Sequence, residues 1–163
     1  MYDVDDEQKK RAKQPHELFL INLIFNHVLV FVAALGLARS MPWLLLVVPL
    51  ISIGILSYTL WRAKRSLAVD SWFVMCHWQL CAVRSRRFLL VVFLLLLAFA
   101  LGWVGYHYWG LEKIPTLAMI SGLGILPTMV TVLVLVILES DALHQASNGR
   151  LPAWVTEKFP NTN

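Results

Sequence analysis

Four stretches of this chain carry no Asp, Glu, Lys or Arg for 19 residues or more: residues 18–38, 43–61, 88–111 and 114–138. At 1.5 Å per helical residue, even the shortest measures about 28 Å, close to the thickness of a bilayer's hydrocarbon core. Lipid offers no water to exposed backbone groups, so runs of this kind fold as helices. The spacing predicts an all-α membrane protein of four transmembrane helices. Composition argues against a soluble alternative, since only 15% of residues are charged and mean hydropathy is +0.66, where soluble domains carry roughly a quarter charged residues. Abundant Leu, Val, Ile and Phe exclude intrinsic disorder, and two cysteines are too few for a disulfide scaffold. No internal repeat or long linker divides the chain, so residues 1–163 read as one domain.

Orientation follows from the cations, because Lys and Arg in short loops stay on the cytoplasmic side. Of 14 such residues, only Arg39 and Lys113 lie in the two short turns, after spans one and three. The other 12 precede the first span, separate the second from the third, or follow the fourth. Both termini are therefore expected in the cytoplasm. Trp43, Trp103, Tyr106, Tyr108 and Trp109 at the outer ends and Trp61 at an inner end suit headgroup belts. The 21-residue first run exceeds a signal-peptide core, and Asp3, Asp5, Asp6 and Glu7 argue against a mitochondrial presequence. A bacterial inner membrane is the expected location.

Between spans two and three, residues 62–87 are unusually apolar for a loop. Trp72, Trp78 and neighbouring aliphatics suggest an in-plane amphipathic helix over 66–83, either capping the bundle or docking a partner, with flanking basic residues meeting lipid headgroups. The tail, residues 139–163, contains Trp154, Val155 and Phe159 and is expected to lie on the membrane or on a neighbouring subunit.

Cys76 and Cys81 are five apart, a spacing that turns helical side chains by about 140° and forbids a bridge. In size and span number the chain resembles four-span thiol oxidoreductases, but their cysteine pairs face outward, so these two read as reduced structural thiols. Asn22, Asn26 and His27 put polar groups inside the first span, where they must face protein. They read as interhelical glue, with Ala33 and Gly36 continuing the packing face, or as a polar relay for protons or a quinone headgroup. His27 and His107 lie about 13 and 28 Å from the inner boundary, too far apart in depth for one haem iron. His27 remains the candidate cofactor contact, through a partner chain. Gly124, Thr128 and Thr131 form a small-residue face in the fourth span, and Pro127 predicts a kink there. His16, Glu17, Glu139, Asp141 and His144 at the inner ends could ligate a cation if their helices adjoin, but no spacing demands it, and they read as solvated helix termini.

Neither a nucleotide-binding loop nor a hydrolase or metalloprotease motif is present, and the basic patches flank spans instead of forming a nucleic-acid surface. No cofactor, catalytic residue or metal is predicted. The expected function is that of a non-catalytic accessory subunit or assembly factor of a larger, possibly respiratory, inner-membrane complex. Its partners would be other integral membrane subunits, contacted through Asn22, Asn26, His27, Trp72, Trp78, Gly124, Pro127, Thr128 and Trp154. The alternatives are a small transporter subunit, to which the chain's size and span number are similar, and a quinone- or haem-linked oxidoreductase subunit.

Overall fold

The computed structural model describes residues 2–161; Met1, Thr162 and Asn163 lie outside it. Four long helices dominate: α1 (Asp6–Leu37), α2 (Trp43–Val69), α3 (Trp72–Tyr108) and α4 (Lys113–Ser147). A short α5 follows at Ala153–Lys158. No strand occurs among the described residues. Each long helix is long and apolar enough to cross a membrane, as the uncharged runs require. Short turns join α1 to α2 and α3 to α4; the second uses Gly110 at φ +66°, where a side chain would be strained.

The helices outrun their uncharged segments at the end that carries both termini, here termed the basic end. Asp5 starts α1 by accepting the Gln8 amide at 2.6 Å, satisfying one donor of the first turn. At 37 residues α3 measures about 55 Å, so about 25 Å of it lies beyond a bilayer core. α4 continues past Glu139 to Asn148 and Gly149, the latter at φ +61°.

The in-plane helix expected over 66–83 does not form. Residues 66–69 finish α2, Asp70 and Ser71 are extended, and Trp72 begins a helix continuous with the third span. The break follows from Asp70, whose carboxylate is held by both Arg11 and Arg62, the latter at 3.1 Å. The apolar residues that suggested lipid contact form a protein core instead. Phe73, Val74, Cys76, Trp78, Leu80 and Ala82 are all buried. Trp72 donates its indole N–H to the Phe159 carbonyl at 2.8 Å, and the Arg62 guanidinium stacks 4.8 Å above Trp78. Trp78 is therefore buried within the chain, and Trp72 is half-buried against it.

The tail also packs on its own chain. Val155 of α5 is fully buried with Cys76, Leu80 and Ala142, while Trp154 stays 42% exposed. Tyr2 closes the layer from the other terminus, its amide donating to the Gly149 carbonyl at 2.8 Å.

Within the uncharged segments, Phe19, Leu23, Leu56, Phe88, Val92, Val132 and Leu135 form the core. Leu50, Leu133 and Ile137 point outward, as lipid-facing positions should. α3 and α4 pack closely at Gly124, where an added Cβ would lie 2.9 Å from the Leu95 side chain and 3.4 Å from the Ala98 Cβ. This is the close contact predicted from the small-residue face.

Candidate functional site

Two widened, π-helical turns shape the interior. The first, Ile21–Val30, lies in α1; the second, Ser121–Ile125, lies in α4 just before Pro127. Such turns shift the register of everything beyond them. In α1 the buried position is Ala34, while Ala33 and Gly36 are exposed, and Gly36 has no neighbouring atom within 4 Å of its would-be Cβ. The packing face drawn through Ala33 and Gly36 on an ideal helix is therefore one residue out. In α4 the widened turn accommodates Pro127, whose ring lies on the exposed surface. Thr128 donates its hydroxyl to the Gly124 carbonyl at 2.8 Å within the same turn.

The polar residues of α1 divide into two roles. Asn22 donates to Ser52 Oγ at 3.1 Å, and Asn26 donates to the Val48 carbonyl at 2.9 Å. Both tie α1 to α2, as buried amides in lipid must. His27 instead donates from Nδ1 to the Asn22 carbonyl at 3.1 Å, five residues back along the widened turn. A carbonyl can only accept, so the proton is on Nδ1 and the neutral ring keeps a lone pair on Nε2. No carboxylate lies in any span to pair with an imidazolium. Among the described residues Nε2 has no hydrogen-bond partner.

His27 borders a cavity of about 270 Å³ formed by all four helices. Its walls are otherwise apolar, with Phe31, Leu45, Leu96, Phe99 and Met129 among them, and Thr128 supplies the second polar group. Leu35 and Leu46 line it and are about half exposed, so it reaches the lipid-facing surface. His27 and Thr128 lie about 13 and 15 Å from the basic-end boundaries of their spans, which places both near mid-membrane. Because the Thr128 proton is already committed to Gly124, both polar groups present acceptors. Apart from these two groups the lining is apolar, and among the described residues it offers acceptors and no free donor, which suits an apolar molecule carrying an O–H. The Phe88 ring packs edge-on against His27 at 4.9 Å and fixes its plane.

A second polar cluster lies at the basic end, outside the uncharged runs, and corrects the reading of Glu139 and His16 as solvated termini. Both are fully buried, as is His77. Glu139 Oε2 lies 2.6 Å from His16 Nδ1, and His16 Nε2 lies 2.9 Å from His77 Nδ1. Arg84 donates to Glu139 Oε1 at 3.1 Å and to the Leu138 carbonyl at 2.9 Å. Burial, with the neighbouring His16 adding to it, pushes His77 down to about 3, so it is neutral at physiological pH. Burial and the charge of Glu139 raise Cys81 well above the usual thiol range. Cys76 and Cys81 are free and buried, as expected from their spacing.

The structure thus joins His27 and Thr128 at one cavity, commits Asn22 and Asn26 to helix pairing, and leaves Pro127 and Trp154 on the outer surface. His107 is exposed and bonded to its own helix at Trp103. The buried cluster of His16, His77, Arg84 and Glu139 was missed. The available signal was depth, since His16 and Glu139 both flank their spans within two residues of the inner boundary. Comparison with protein-family models, with curated proteins and with solved structures finds no match to this chain.

Proposed function

We propose that the chain is a non-catalytic subunit of a larger bacterial inner-membrane assembly and holds a quinol, or a similar hydroxylated apolar molecule, beside His27. The observation that carries this reading is the acceptor-only cavity at mid-membrane. A phospholipid keeps its charged head at the interface, whereas a quinol brings its hydroxyl to this depth. The cavity lining holds no carboxylate or thiol beside His27, which favours a holding or supplying role over catalysis. Both termini are taken as cytoplasmic on the distribution of cations, and Lys64, Arg65, Arg86 and Arg87 are exposed where anionic headgroups would meet them. Gly36, Gly54 and Gly122 have open space over them, which supports contact with neighbouring membrane helices. A transport path along α4 has less support, because Pro127 faces outward.

Extraction from bacterial membranes in mild detergent, followed by a native gel and mass spectrometry of the bound lipids, tests the proposal. The expected result is a complex larger than the 18.6 kDa chain, carrying close to one hydroxylated apolar molecule per copy, with His27→Phe strongly depleted of it. A colourless monomer without such a molecule, or equal loading in His27→Phe, overturns the reading.

A further inference from the structure

The buried cluster at the basic end has donors that quinol binding does not use. One ligand atom each from His16 on α1, Cys81 on α3 and Glu139 on α4 lie within 4.8 Å of one another. All three residues are completely enclosed. Around a tetrahedral ion with bonds of 2.0–2.3 Å, neighbouring donors stand roughly 3.3–3.8 Å apart, so small side-chain adjustments bring these three onto one centre. The donor chemistry is selective: thiolate and imidazole suit zinc and its relatives, while magnesium and calcium require oxygen shells.

The surroundings have the form of a metal site's outer layer. His77 Nδ1 lies 2.9 Å from the far nitrogen of His16, and Arg84 holds the second oxygen of Glu139 at 3.1 Å. Metal-bound histidines and carboxylates are oriented by partners of this kind. Ser85 Oγ lies 4.0 Å from the Cys81 sulfur, within reach of a fourth position that a water could also fill.

We propose that His16, Cys81 and Glu139 bind one zinc-type divalent ion. Binding replaces the hydrogen bond between His16 and Glu139 with two bonds to the metal, and the proton shared between them leaves to solvent, the imidazole keeping only the proton on Nε2 that faces His77. The Cys81 thiol, which donates to the Pro15 carbonyl at 3.4 Å without metal, gives its proton to solvent and binds as thiolate. Thiolate and carboxylate then match the two positive charges. The ion pins α1, α3 and α4 together at one end of the bundle, independently of whether the cavity holds a quinol.

The test is titration of chelator-stripped full-length protein, in detergent, with Co²⁺ alone, followed by Zn²⁺. The expected result is one Co²⁺ per chain with a thiolate-to-cobalt charge-transfer absorption, lost when Zn²⁺ displaces it. Cys76→Ser should keep the band, Cys81→Ser should lose it, and His16→Gln should weaken binding tenfold or more. The chain has only two cysteines, so if Cys81→Ser does not fold, a band retained in Cys76→Ser still identifies Cys81. Absence of the band in the unsubstituted protein, its loss in Cys76→Ser, or its persistence in folded Cys81→Ser overturns the proposal.

Discussion

Replacing Glu139 with alanine is expected to destabilise the bundle by about 3–5 kcal/mol, among the largest effects available to a single substitution here. The carboxylate accepts from Arg84 on one oxygen and pairs with His16 on the other, with both side chains of the His16–Glu139 pair wholly enclosed. Removing it leaves the Arg84 guanidinium, 13% exposed, with the Leu138 carbonyl alone, and the buried His16 imidazole with only His77. Thermal unfolding followed by far-ultraviolet circular dichroism, in mild detergent with chelator present, isolates this electrostatic loss from any bound metal. Glu139→Gln keeps an acceptor and the side-chain shape and should lose less. A Glu139→Ala protein that unfolds at the unsubstituted temperature would mean that the cluster contributes little to stability.

Phe88→Ala is the second large expected effect, about 3–5 kcal/mol. The ring is completely buried, packs on Phe19 at 6.0 Å between centroids, and supports the His27 imidazole at 4.9 Å. Its removal opens a void among side chains from all four long helices, which surrounding core residues such as Leu23, Leu56 and Val132 cannot close without moving helices. Phe93, one and a half turns further along α3 and 59% exposed, provides the control: Phe93→Ala should change stability by less than about 0.5 kcal/mol. Equal unfolding temperatures for the two variants would contradict the packing described. Loss of the ring's support should also let His27 reorient, so Phe88→Ala should bind quinol less well even where the variant remains folded.

The membrane-crossing elements were legible because charge is prohibitive in hydrocarbon, so gaps between charged residues report directly on span length. Gly124 was legible for a related reason: a small residue within an apolar helix has few uses besides letting another helix approach. Register inside a span was less accessible. Ala34 replaces Ala33 on the packing face because ten residues of α1 are wound more widely than an ideal helix, and ideal spacing cannot anticipate that. Trp72 and Trp78 suggest an in-plane helix because aromatic residues near a span ordinarily meet headgroups. Tertiary contacts override that preference, through Phe159 for one and Arg62 for the other. The break at Asp70 depends on Arg11, 59 positions away, and the burial of Glu139 depends on His16, 123 positions away. Neither relation leaves a local pattern.

The cavity had half a signature. In the sequence His27 stands out as a polar group in lipid and Thr128 as part of a small-residue face, but only the folded arrangement brings them to one cavity at similar depth. Their shared character as acceptors appears only when hydrogen bonds to Asn22 and Gly124 account for their protons.

The central claim, that this cavity selects a molecule by its O–H, is tested most directly by isothermal titration of the purified protein with a short-chain quinol and with its dimethyl ether. The ether keeps the ring and tail but has no proton to give. A hydrogen bond made to a buried acceptor accounts for about tenfold in affinity. The account predicts that the unsubstituted protein binds the quinol at least about tenfold more tightly, and that His27→Phe loses most of this preference. Equal affinity of the unsubstituted protein for quinol and ether would contradict it.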